Sequence, residues 1–183
     1  MIPGPPTVPI FHDPLQDQAM NFSNRPANQP VVRSGMHVLV IGARRVKFAA
    51  RAAERVQPDG EVILLPIDGE SEESAKDELT HLGVEQVRVV TGLNGETQLD
   101  EASFDKVFIT SGLNKLSEPE KILEEAFTQL KPDGQLVIDQ RFWDPGFMPR
   151  KRIVALAREA GFRWVGNPGN IFHHTLIFQK PAE

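Results

Sequence analysis

The chain has 183 residues, 40% of them hydrophobic and 25% charged, a balance that excludes wholesale disorder and a membrane-embedded body and, at roughly 100–200 residues per domain, favours one domain with an appendage. Lys and Arg number 20 against 25 Asp and Glu, a net charge of −5, so the surface is a poor attractor of phosphate backbones and nucleic acid is not an expected partner. The absence of Cys removes disulfides, thiolate metal sites and cysteine nucleophiles together.

Seven of the 15 prolines (Pro3, Pro5, Pro6, Pro9, Pro14, Pro26 and Pro30) lie in the first 35 residues. Each removes a backbone donor and biases its predecessor to extended conformations. Residues 1–34 therefore read as a Pro-rich extended arm with at most a short helix near Leu15 to Met20, and residues 35–183 as the α/β domain. The arm's Val8, Ile10, Phe11, Leu15, Met20 and Phe22 must pack on that domain or on a partner. No cationic start leads into an apolar run, and no stretch approaches ~18 apolar residues, so neither a secretory signal nor a transmembrane helix is expected, and the default location is cytoplasmic.

Beyond Met36 the hydrophobic period alternates. His37-Val-Leu-Val-Ile-Gly42 is an apolar, β-branched run ending in Gly, as a buried parallel strand reads. Phe48 to Val56 has helical periodicity and stops at Gln57-Pro-Asp-Gly60. Glu61 to Leu65 is the second strand, and Ser71 to Leu82 a helix with Glu72 and Glu73 at its positive end and Gly83 as its stop. Gln86 to Val90 and Asp105 to Thr110 make the third and fourth strands. Ser117 is expected to cap Glu118 to Leu130, with Glu120 completing a capping box and Pro119 suiting the first helical position. Lys131-Pro-Asp-Gly134 turns into the strand Gln135 to Asp139, Pro149 to Gly161 is a helix, and Phe162 to Val165 with Ile171 to Gln179 form an antiparallel, hairpin-like pair. The expected fold is doubly wound α/β, a Rossmann-like, mostly parallel sheet of seven strands with an antiparallel edge strand.

Val38-Leu-Val-Ile-Gly42 followed by a helix, Ser103-Phe-Asp-Lys-Val107, Leu130-Lys-Pro-Asp-Gly-Gln-Leu-Val-Ile138 and Ala160-Gly-Phe162 together resemble the class I S-adenosylmethionine-dependent methyltransferases, nearest the subgroup of quinone-biosynthesis C-methyltransferases. The resemblance covers about Phe11 to Pro181. It implies a first strand ending acid-x-Gly-x-Gly-x-Gly, where glycines admit the ligand's atoms and helix amides with the acid hold the cofactor's amino acid end. Here the acid is Val40, the first glycine is Gly42, and Arg44 and Val46 take the other two positions, placing a cation and a β-branched residue where ligand atoms would pass. The acid for the ribose hydroxyls is replaced by Pro66, with Asp68 two residues late. The acid for the adenine amino group is replaced by Leu93, with Asn94 one residue on. By resemblance, then, Gly42, Arg44, Arg45, Asp68 and Asn94 are the vestigial or remade cofactor-binding residues.

Three readings stay open. The first is a non-catalytic structural or regulatory subunit with a degenerate site, no catalytic residues, no expected cofactor, and a protein partner or second copy. The second is a remade pocket in which Arg44, Arg45 and Lys47, at a helix N-terminus, bind an anion. The third is an active enzyme using S-adenosylmethionine on a small apolar or aromatic substrate. Ser111 follows the fourth strand, where relatives place substrate-facing residues, and reads most simply as a loop residue. Phe142, Trp143 and Phe147 follow the fifth, and suit an apolar ligand cavity or a protein partner equally. His173 and His174 are adjacent on a strand, point to opposite faces and cannot share a metal. His12, His37 and His81 are scattered, so no metal site is expected. Pro149-Arg-Lys-Arg152 is a basic spot on an acidic chain, an exposed helix start in the plain reading and a phosphate or anionic-lipid contact in the sharper one.

Overall fold

The computed structural model describes residues 31–42, 46–66, 72–90, 99–110, 113–116, 118–144, 146–168 and 172–182. Of the proposed arm, residues 1–34, the first 30, with the expected short helix, lie outside them, and residues 31–34 are described. Strands β1 (His37–Ile41), β2 (Glu61–Leu65), β3 (Val87–Val89), β4 (Phe104–Thr110), β5 (Leu130–Arg141), β6 (Arg163–Gly166) and β7 (His173–Gln179) form one sheet in the order β3-β2-β1-β4-β5-β7-β6. All pairings are parallel except those of β7, which runs antiparallel to both β5 and β6. Helices α1 (Val46–Val56), α2 (Glu72–His81), α3 (Pro119–Gln129) and α4 (Arg150–Glu159) cover the two faces. This is the doubly wound, Rossmann-like arrangement that the alternating periods imply.

The apolar runs of β1 and β2 have no polar face because both faces are covered. Val38 and Val40 turn to one side with Val62, Leu64, Phe108 and Val137, where α1 and α2 pack. Leu39 and Ile41 turn to the other with Val107, Ile109, Leu136, Ile138 and Phe178, under α3 and α4. Helix α1 buries Ala49, Ala50, Ala52 and Ala53, small enough for close approach to the sheet, while its Phe48 meets Phe108 edge-on at 4.9 Å. On the other face Phe162 bridges Phe127 and Phe178 at 5.1 and 6.4 Å. Each fully buried aromatic or branched side chain contributes about 1.5–3 kcal/mol of transfer free energy. Val32 is also buried in the α1 face.

The Ser-Phe-Asp opening of β4 has a structural reason. The Asp105 carboxylate accepts the His37 amide at 2.8 Å and the Lys131 ammonium at 3.0 Å, tying the starts of β1, β4 and β5 together. Burial alone would raise its pKa, but the amide and the lysine outweigh it and hold the carboxyl below its usual value.

Two expectations are corrected. The cap of α3 is Glu118, with no side-chain cap hydrogen bond, and Pro119 occupies the first turn as its fixed φ favours; Ser117 lies outside the described residues. Lys131-Pro-Asp-Gly134 does not interrupt the chain before β5 but is an irregularity within it: the register with β4 jumps between Phe104 and Lys106, Asp133 takes φ +62, and Asp133 and Gly134 exchange backbone bonds with Lys180. The Gly83 stop is present at φ +69, with Val84 N–H returning to Leu79 O at 3.0 Å.

Candidate functional site

In an open parallel sheet, ligands gather outside the carboxyl ends of the strands where the order reverses. Here that point lies between β1 and β4, since β2 and β3 follow β1 on one side and β5 follows β4 on the other. Gly42 ends β1 there with φ +141, its N–H donating to Leu65 O at 3.0 Å. A Cβ on Gly42 would stand 2.3 Å from the Thr110 carbonyl oxygen, so the end of β4 fills the space a side chain needs. The Thr110 hydroxyl donates to Ile41 O at 3.3 Å, closing the same junction. Glycine at 42 is thus required by packing of the protein on itself, independently of any ligand.

Val40 is fully buried between Leu64 and Phe108, its register partners on β2 and β4. Val46, expected in the path of a ligand, instead turns into the core beneath α1 with 1% exposure. Pro66 is half-buried at the end of β2, and Val90 half-buried after β3 with its N–H on Leu64 O. Lys47 is exposed. Arg44, Arg45, Asp68, Leu93, Asn94 and Ser111 lie outside the described residues. Of the expected cofactor positions that are described, Val40, Val46 and Pro66 carry neither a carboxylate nor a glycine.

The aromatic segment after β5 is well defined. Phe142, Trp143 and Phe172 are 61%, 62% and 55% exposed, and the Phe142 amide donates to Phe172 O at 2.9 Å, extending the β5–β7 ladder by a pair. Phe147 is wedged between Phe142 at 5.3 Å and His174 at 5.5 Å. Asp144 accepts the Arg141 amide at 2.8 Å. From beneath, fully buried Gln140 donates to Met148 O at 2.6 Å and accepts Met148 N–H at 3.0 Å, while Asn114 donates to Phe147 O at 3.0 Å. Three large aromatic surfaces are therefore presented on a fixed frame. Sequence reasoning found Phe142, Trp143 and Phe147 but missed Phe172, which lies 30 residues from Phe142, and Gln140, an amide fully buried near the end of β5.

Asp139 and His173 lie side by side on β5 and β7, Nε2 to Oδ1 2.6 Å, with the Thr175 hydroxyl donating to the same oxygen at 3.1 Å. His174 faces Phe147 on the opposite side, as strand alternation requires. Among the described residues no three His, Asp or Glu converge as metal ligands do, and no helix is long and apolar enough to cross a membrane.

Residues 32–147 match the family described as methyltransferase domain. A protein-L-isoaspartate O-methyltransferase of Methanopyrus kandleri is 33% identical over 72% of this chain and 63% of its own length. A ubiquinone/menaquinone biosynthesis C-methyltransferase of Idiomarina loihiensis is 32% identical over 58% of this chain and 43% of its own. The chain thus spans less than two thirds of either relative. The crystal structure of a SAM-dependent methyltransferase from Aquifex aeolicus superposes with a TM-score of 0.72 at 22% identity, over 81% of this chain and 84% of that one.

Proposed function

The chain belongs to the methyltransferase domain family of class I S-adenosylmethionine-dependent methyltransferases, and from that premise we propose that it is a member that has given up the cofactor and works by binding, as a structural or regulatory subunit. The observation that carries this is Val40. At the position where relatives hold an acid, it is enclosed on both sides by β2 and β4 and wholly buried, a place where an unpaired carboxylate would be penalised by desolvation. Pro66 removes a second contact and Leu93, by sequence, a third. Each lost charge-assisted contact costs roughly 1–3 kcal/mol, so three together remove about two to six decades of affinity. Gly42, the one glycine retained, is accounted for by Thr110. The aromatic rim of Phe142, Trp143 and Phe172 supplies the contact surface, for a protein partner or a second copy of the chain.

The family membership itself favours a second reading, an active methyltransferase with an atypical pocket whose same rim receives an apolar or aromatic substrate. The remade anion pocket rests on Arg44 and Arg45, with Lys47 turned to solvent. Calorimetric titration of the full chain with S-adenosylmethionine separates these. The expected result is no heat of binding up to about 1 mM; a dissociation constant in the micromolar range overturns the non-catalytic reading.

A further inference from the structure

Helix α4 begins Arg150-Lys-Arg152, three cations in a first turn that contains no acid, against the direction favoured by the helix dipole. Among the described residues the side chains of Arg150, Lys151, Arg152 and Arg158 make no ion pair, although the chain carries an excess of acids. Arg158 stands in the last turn, where the dipole favours a cation, but Arg150, Lys151 and Arg152 break the local rule without an ion pair to offset it, which points to binding.

Arg150, Lys151 and Arg158 line an open groove of about 530 Å³ together with Val154, Ala155 and Trp164. The Trp164 ring packs edge-on against Phe178 at 5.2 Å. Arg150 and Arg158 are eight residues apart on one helix, about 12 Å along its axis, so no single phosphate touches both. Four residues of extended chain, at about 3.3 Å each, span the same length. Trp164, which lines the groove, belongs to β6, the last strand in the sheet order, paired among the described residues on one side only, with β7. Its other edge offers backbone donors and acceptors to an added strand.

We propose that the groove between α4 and β6 docks an acidic, extended peptide segment of a partner protein, with carboxylates at its two ends meeting Arg150 with Lys151 and Arg158, and apolar side chains between them on Trp164. The site is about four strand spacings, or about 19 Å, from β1 and stands whether or not the strand ends hold a cofactor. The probe is a ten-residue peptide with two Glu at each end and Val and Leu between, titrated into the full chain carrying Trp143→Phe, in which Trp164 is the sole tryptophan. The expected result is a saturable change in Trp164 emission with micromolar affinity at low salt, weakened by added salt. Arg150→Glu with Arg158→Glu should weaken binding at least about tenfold with an unchanged melting profile; if that pair melts early, Arg150→Gln with Arg158→Gln gives the same direction with a smaller loss. No saturation up to about 1 mM, equal binding by the charge variants, or a single-stranded oligouridylate that binds where the peptide does not would each overturn the proposal.

Discussion

Lys106 sits on β4 with 6% exposure, its ammonium donating to Gln135 Oε1 at 2.5 Å. Burial, reinforced by the like charge of Arg33 and only partly opposed by Asp105, pulls its pKa down to about 8. In the unfolded chain a lysine titrates near 10.4, so between about pH 8 and 10.4 the unfolded state holds more protons and stability rises with pH. Below pH 8 the charged lysine costs the fold up to about 3 kcal/mol, at about 1.4 kcal/mol per pKa unit. Lys106→Met removes that cost and forfeits about 1 kcal/mol of hydrogen bond to Gln135, a net gain of about 2 kcal/mol at pH 7. At roughly 2–4 °C per kcal/mol for a chain of this size, the melting temperature should rise by about 4–8 °C. The gain should shrink steadily towards pH 10. With no Tyr and no Cys in the chain, side-chain titration in that window is confined to lysines, and their shared contribution cancels between variant and parent. Melting followed by circular dichroism at pH 7 and pH 10 makes the comparison. A variant less stable than the parent at pH 7, or one with the same advantage at both, refutes the reasoning.

Gly42→Ala should cost about 3 kcal/mol or more, because its Cβ meets a backbone oxygen that cannot turn aside and φ is +141. Chemical denaturation checks this, and a loss below about 1 kcal/mol would return Gly42 to a ligand role. Gln140→Leu should cost about 2–4 kcal/mol, since it leaves both the amide and the carbonyl of Met148 buried without partners. It should also speed proteolytic cleavage between Phe142 and Pro149, read by mass spectrometry; unchanged cleavage would show that the aromatic rim is fixed by something else.

The fold was legible because it is written in short-range patterns. The bounds of β2 are those read from the sequence, and β1 and β4 differ from theirs by one residue, since the switch from apolar run to helical period is local. What failed was also local in form but decided at a distance. Ser117 carries a good capping residue, yet the helix begins after Glu118 because Pro119 sets the first turn. Lys131 to Gly134 has the composition of a turn, but Lys180 pairs with it and draws it into the sheet. The cofactor positions were legible only as departures from a family pattern. That Val46 would turn inward, and that Thr110 would leave no room for a side chain at Gly42, are consequences of side-chain direction across neighbouring strands, which no spacing encodes. The groove at α4 announced its cations in the sequence but not Trp164, which reaches it through a separate strand.

The sheet order also sets a timetable. β7 is the last described strand, yet it lies between β5 and β6. While the chain is being synthesised, β6 has no strand to join, and β5 keeps an open edge flanked by Leu136 and Ile138, until the 13 residues that follow Gly166, ending at Gln179, have been added. At 5–20 residues per second that interval is about one to three seconds. Until β7 is in place the chain has one apolar edge unpaired and open to pairing with a second chain.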